Sequence, residues 1–535
     1  MTSRLRGVPE AVILICLLAA GPVQGAPPPS EHVLRIGLDA RDIGSLDPGF
    51  TRGSVDEFVV RQLYNTLLSP PPGTLVFDLN KMQGELAERW EVSRDGKTWT
   101  FWLRKGVPWQ KGYGEVTADD VKYTFDRLRD PKIHSPYAGA YQNIEDVKVL
   151  SPYVAQFVLK RPNLFFHLTA LMPRFGGYIV PKKAVEALGR EFALHPVGSG
   201  AFQLDAYEPK ARVMLSAHTA YFRGAPPAGK IEVFLMPETA ARTLAFLKGD
   251  LGMIEGARAT GWVDDLRRHR TDALLDILRP GSTQTLFLNM GVKPFDDIRV
   301  RQAIAYALNR QAWQKTFGAL SFAMPGPAPE EFYGSLSEKD VPAELRYPYS
   351  RERALALLAQ AGHQTGFKVD VFISEREDYL TNMLLIKDQL RKVGISVNLR
   401  VVDHTTYMTN IQRDLDPMVV YSTSQPPVAV AILQVFYARD AIVTKPTANR
   451  NFSHYGDIGG GIDSGLEAAI AETDRAKQLR ALREVQLQIL RDLPAIPLQN
   501  LAFLYVRQPW VDAGFPIKGG LGHYQLEKTK LAERR

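Results

Sequence analysis

The chain has 535 residues, a formal net charge of +7, and apolar and charged fractions of 45% and 23%. That length is too great for one compact core and calls for two or three folding units. The composition excludes a low-complexity chain, and a single cysteine excludes a disulfide framework.

Residues 1–25 read as a secretory leader. Arg4 and Arg6 precede the apolar run Ala11–Ala20, and small residues follow at Val23 and Gly25, where cleavage is expected. The run is too short for a membrane anchor, which needs roughly 20 apolar residues. Cys16 follows Ile15 rather than a small residue, so a lipid attachment site is not expected, and the mature chain has no thiol. Loss of Arg4, Arg6 and Glu10 leaves a net charge of +6. The basic residues are spread along the chain, unlike those of a nucleic-acid reader, and the exported, cysteine-free chain points to a periplasmic location.

A first strand is expected at 33–38. Next, "WEVSRDGKTWTFWLR" (90–104) contains Gly96-Lys97-Thr98, the ending of a phosphate loop. Such a loop needs a glycine five positions earlier, and Glu91 stands there. Asp95-Gly96 between alternating apolar runs predicts a hairpin instead, with Trp99, Phe101 and Leu103 on its buried face. Thr117 and Asp120 form a capping-box pattern opening a helix to 129, whose inner face carries Val121, Thr124, Phe125 and Leu128. The aromatics between Trp90 and Phe125 are expected in the core. Tyr137 and Tyr141 follow on a loop, where a phenol can offer a ring face and a hydrogen-bonding tip. Further strands are expected at 153–159, 230–236, 284–289, 367–373, 395–402 and 501–506, and a helix at 296–310. The helix over 380–394 ends at Gly394 and leads directly into strand 395–402. That strand–helix–strand unit implies a parallel or mixed sheet covered by helices.

Sequence-local chemistry is sparse. There is no Gly-x-Ser-x-Gly elbow and no His-Glu-x-x-His, and the ten histidines are scattered. No enzyme activity, metal site or cofactor is expected, and a secreted hydrolase stands as the alternative.

The segment 90–128, "WEVSRDGKTWTFWLRKGVPWQKGYGEVTADDVKYTFDRL", resembles the signature hairpin and helix of the extracellular solute-binding proteins of peptide ABC transporters. "SLDPGF" (45–50), "QLYNTLL" (62–68), "PVGSGAFQLDAYEPKARVMLSAHTAYFRG" (196–224), "KPFDDIRVRQAIAYALNR" (293–310) and the closing run 463–500 resemble that family in the same order. The resemblance spans about 33–515. It implies an α/β, two-lobe periplasmic binding protein fold with mixed sheets, a hinge and an extra N-terminal subdomain. The expected division is 26–284 for lobe I, with an insertion at about 50–190, then 285–496 for lobe II and 497–535 returning to lobe I. The two crossings are expected near 281–290 and 495–506. The implied partners are a small, peptide-like solute in the interlobe cleft and an ABC permease complex in the inner membrane, with the carrier a monomer that binds no nucleic acid. A sensor or chaperone on the same fold is a further alternative.

The chain departs from the family pattern at 418–433. Peptide-binding members carry a Trp-x-Ala-Asp-Tyr-type stretch there, whose aspartate pairs with the peptide's amino group. Here Ser424 or Gln425 takes the aspartate's place and Tyr421 or Ser422 the tryptophan's, and the nearest acids are Asp416 and Asp440. A buried ammonium without a carboxylate is costly. Either the solute is a modified or cyclic peptide, an opine-like or sugar-linked compound or another small polar molecule, or a different carboxylate in the cleft supplies the charge. The expected pocket residues are Tyr137, Tyr141, Asn289, Tyr407, Tyr421, Ser422, Thr423, Ser424 and Gln425.

Overall fold

A computed structural model describes residues 33–51, 53–172, 177–447, 449–519 and 524–533. The expected leader lies outside them. Among the described residues, no helix is long and apolar enough to cross a membrane.

The strands that matter below are β1 (Val33–Leu38), β2 (Ala87–Val92), β3 (Thr98–Leu103), β4 (Ile144–Ser151), β5 (Val154–Leu159), β6 (Phe202–Glu208), β7 (Arg212–Ala217), β8 (Lys230–Leu235), β9 (Met253–Glu255), β10 (Leu274–Leu288), β11 (Ser321–Phe322), β12 (Phe367–Ser374), β13 (Ile395–Val402), β14 (Met418–Thr423) and β15 (Ala495–Arg507). The helices that matter below are α1 (Ser54–Leu63), α2 (Ala118–Arg129), α3 (Ile298–Ala307), α4 (Glu377–Arg391), α5 (Ala429–Phe436) and α6 (Arg475–Asp492).

The hairpin of β2 and β3 forms as its sequence predicts. Gly96 takes φ +67, a conformation that favours glycine, and Asp95 accepts from the Lys97 amide at 3.1 Å. Trp99, Phe101 and Leu103 point inward and are buried. The order β2-β3-β5-β4 makes a four-stranded antiparallel sheet covered by α2. At the start of α2 the capping box closes: Asp120 accepts from the Thr117 amide, and the Thr117 side chain accepts from the Asp120 amide. Phe125 stacks edge-on with Phe157 of β5, so the amphipathic face of the helix and the inner face of the sheet share one core.

A nine-stranded mixed sheet runs through the molecule in the order β14-β10-β15-β9-β1-β8-β7-β6, with β11 alongside β15. β1 is parallel to β8 and to β9, and the other pairs are antiparallel. The long strands β10 and β15 pair almost end to end. Their register shifts between Leu278 and Ser282. There the chains run so close that a Cβ on Gly281 would stand 1.8 Å from the Leu501 carbonyl oxygen, so only glycine fits. β12 and β13 form a separate parallel pair joined by α4, the crossover that the run 367–402 predicts.

The fold also contains a buried ion pair. Arg61 of α1 and Glu85 sit 2.6 Å apart with side chains 3% and 0% exposed. Burial pushes the Glu85 carboxyl up, but Arg61 and Arg223 outweigh it and hold the group at about 2. Glu85 also accepts from the Thr66 amide and the Asn65 side chain, which satisfies its remaining lone pairs.

Candidate functional site

The parallel strands β8, β1 and β9 end side by side at Leu235, Leu38 and Glu255. In open sheets of this kind, solutes bind beyond the carboxyl ends of the strands. Glu255 closes β9 and Asp39 follows β1; one Glu255 carboxylate oxygen accepts from the Asp39 amide at 3.1 Å. Burial and the neighbouring Asp39 charge push the Glu255 carboxyl up. Arg242, itself buried, donates to the Glu255 carbonyl at 2.8 Å and to the Met236 carbonyl, and stands 3.9 Å from Asp39.

Helix α1 covers this face of the sheet. Its Phe58 ring lies 5.7 Å from that of Tyr505, and Tyr505 is directly opposite Glu255 in the β9–β15 ladder. Directly paired residues of an antiparallel ladder share a face. One turn back, Thr51 donates to Glu57, and the Tyr137 hydroxyl is 2.7 Å from both the Thr51 hydroxyl and its carbonyl. This wall is polar and acidic.

Three residues beyond Glu255, Arg258 reaches across to β10 and α4. It donates to Ser282 of β10 at 3.1 Å and to Asp378 of α4 at 3.0 Å, with its guanidinium over the Phe503 ring. Tyr333 packs against Phe77 and Phe165, and Arg279 pairs with Glu331. Residues 77–279 thus touch residues 331–378 by aromatic and ionic contacts at several points.

The expected pocket residues fall into two groups. Tyr137 belongs to the polar wall. Ser422 and Thr423 end β14, paired with Gln284 and Thr283 of β10; Ser424 follows half-buried, and Gln425 donates to Thr423 at 3.3 Å. Tyr379 of α4 brackets this end by bonding both the amide and the carbonyl of Ser422. Tyr421 is buried against Phe436 and Phe452, with the Arg450 guanidinium 5.4 Å above its ring. Tyr141 and Tyr407 sit differently, at 0% exposure. Tyr141 packs edge-on against Phe125, and Tyr407 donates to the Val420 carbonyl at 2.6 Å. The loop expected around Tyr141 is a short helix, Ala138–Tyr141, which turns that ring into the core. Asn289 donates to Asp414 and accepts from the Gly291 amide, so both ends of its amide hold a turn. The sequence reading missed Glu255, Arg258, Asp378 and Tyr333. The only local signal was an acid ending a strand in "GMIEGAR", and it gains meaning only from the parallel neighbours.

A two-lobe α/β binding protein built on a mixed sheet is the class that this fold defines. The family model for bacterial extracellular solute-binding proteins, family 5 (middle region), matches residues 81–442, and the chain belongs to that family. It is similar to the dipeptide-binding protein of Escherichia coli K12, at 29% identity over 67% of this chain and 70% of that protein. It is also similar to di/tripeptide-binding protein 2 of Pseudomonas aeruginosa, at 26% identity over 92% and 93%. Among solved structures it resembles MoaA of A. tumefacien R10, determined with mannopinic acid, at 33% identity, TM-score 0.83, and coverage of 94% of this chain and 100% of that one. The protein is therefore a bacterial extracellular solute-binding protein.

Proposed function

We propose that this protein is a periplasmic, monomeric carrier for an opine-like solute, an amino acid N-linked to a sugar-derived chain, which it delivers unchanged to an inner-membrane permease. The reading takes 26–284 and 497–535 as lobe I and 285–496 as lobe II, with Tyr137 and residues 421–425 lining the cleft between them. The observation that carries it is the likeness to the relative solved with mannopinic acid, at 33% identity over nearly the whole chain. The uncharged Ser424 and Gln425 at the end of β14 support a solute other than an ordinary peptide, because the aspartate with which peptide-binding members pair the peptide's amino group is absent there. Hydrolysis is disfavoured: the Ser374 hydroxyl lies 3.0 Å from His404 Nδ1, but Ser374 is 0% exposed and no substrate could reach it.

Closure removes water from the cleft and strengthens its polar contacts. The solute favours the closed form only through its greater affinity for that form. Calorimetry with mannopinic acid, the dipeptide Met-Leu and glutathione tests the reading. Binding of mannopinic acid at roughly micromolar affinity or tighter, with the other two at least tenfold weaker, is expected. Binding of Met-Leu or glutathione in preference to mannopinic acid would overturn it.

A further inference from the structure

Tyr333 carries an aromatic contact between residues 285–496 and the N-terminal part of the chain. Its ring lies edge-on 5.4 Å from that of Phe165 and tilted 6.5 Å from that of Phe77. The receiving side is anchored. Phe165 is 2% exposed, and the next residue, Phe166, packs its ring against Trp99 and Phe157 in the core. The Phe77 carbonyl accepts from His167 Nε2 at 2.9 Å. The Tyr333 side is held as firmly by other segments. Gln486 of α6 donates to the Gly334 carbonyl at 2.8 Å, Glu331 pairs with Arg279, and the Arg475 guanidinium lies 5.4 Å from the Tyr333 ring. The backbone of Tyr333 also joins the run that follows β14. Its amide donates to the Pro427 carbonyl at 3.0 Å, and its carbonyl accepts from the Ala429 amide at 2.9 Å. Only Pro426 stands between that bridge and Gln425, and the two proline rings fix φ, so the link is short and stiff.

We propose that Tyr333 is a positioning residue for capture: an aromatic latch that docks on Phe77 and Phe165 as the two lobes meet, and whose place is set by the run 421–427 beside the solute. The inference rests on the two-lobe carrier reading above and goes beyond it by naming what holds the closed form. Ring contacts of this kind contribute modestly one by one, and here both are lost together when the lobes part. Their free energy therefore enters the closing step and not the stability of the open form.

Calorimetry and stopped-flow release of mannopinic acid are read on wild type, Tyr333→Ala, Tyr333→Phe, Phe77→Ala and the double variant of Tyr333→Ala with Phe77→Ala, beside thermal melts and scattering of the solute-free proteins. Tyr333→Ala should lose roughly five- to fiftyfold in affinity, through faster release. Tyr333→Phe keeps the ring and should stay within about threefold of wild type. Phe77→Ala should weaken binding in the same way, and the double variant should lose less than the product of the two single losses, since one contact cannot be lost twice. Solute-free melting temperatures and radii of gyration should match those of wild type. Losses that simply multiply, a Tyr333→Phe variant as weak as Tyr333→Ala, or a larger solute-free radius in Tyr333→Ala would overturn the latch. If wild type binds Met-Leu in preference to mannopinic acid, the opine reading fails, and the latch is judged by the same ratios with Met-Leu as the probe. If solute-saturated wild type does not contract, the clamp and the latch fall together; if it contracts and Tyr333→Ala binds as wild type does, the latch alone fails.

Discussion

The cross-cleft pair of Arg258 and Asp378 yields the sharpest energetic prediction. The guanidinium donates to Asp378 at 3.0 Å, and the two side chains are only 18% and 12% exposed. Asp378→Asn removes the charge and keeps the size. A hydrogen bond between charged groups contributes about 1.5–3 kcal/mol when well buried, and residual exposure lowers the figure. About 1–2 kcal/mol is a fair expectation here. If the contact forms only when the lobes meet, all of it appears in the closing equilibrium and none in the open form. Apparent solute affinity should then fall roughly five- to thirtyfold, while the melting temperature of the solute-free protein stays close to that of wild type. Calorimetric titration with mannopinic acid, run beside a thermal melt, reads both quantities. An affinity within twofold of wild type would refute the reasoning, because the pair would then exist equally in the open form. A large drop in the melting temperature of the free protein would refute it too, since the pair would be holding the fold rather than the closure.

Asp416 is buried, accepts from the Phe372 amide at 2.7 Å, and its carboxyl is pushed up by burial to about 6. A raised carboxyl favours the folded state least where it is charged, so this cost is absent below the ordinary value near 4 and grows as pH rises through 6. Asp416→Asn should therefore stabilise the protein by about 1–3 kcal/mol at pH 7.5 and by almost nothing at pH 4, read by urea titration at both values. Glu85→Gln should cost about 3–5 kcal/mol at pH 7, because it strands Arg61 in a dry site; a loss below 1 kcal/mol would contradict the ion pair's assigned weight. The folded Glu85 carboxyl titrates at about 2, below its ordinary value, so this pair's contribution is present above about 4.3 and disappears as pH falls through 2. Ser424→Asp should create measurable affinity for free-amine dipeptides such as Met-Leu and leave their N-acetyl forms unbound; equal behaviour of the two forms would contradict the placement of Ser424 at the cleft.

Much of this fold was legible in local patterns. Asp95-Gly96 between alternating runs, the Thr117–Asp120 capping box and the run 367–402 each specify an element by short-range chemistry, and each element stands where its residues put it. β10 was only half legible: Pro280-Gly281 interrupts its pattern, yet tertiary pairing with β15 carries the strand through to Leu274. Tyr141 and Tyr407 show where local reading fails. A loop tyrosine and a core tyrosine look alike until the partner ring, Phe125 or Tyr379, is placed beside them. Glu255 was invisible for the same reason, since its setting comes from β1 and β15, which lie far away in sequence.

The measurement that bears most directly on the central claim is small-angle scattering of the protein with and without mannopinic acid, at concentrations where calorimetry shows the site saturated. Two lobes swinging together on β10 and β15 should give a smaller radius of gyration in the saturated sample. A radius unchanged at full occupancy would mean that capture needs no closure, and the clamp described here would be wrong.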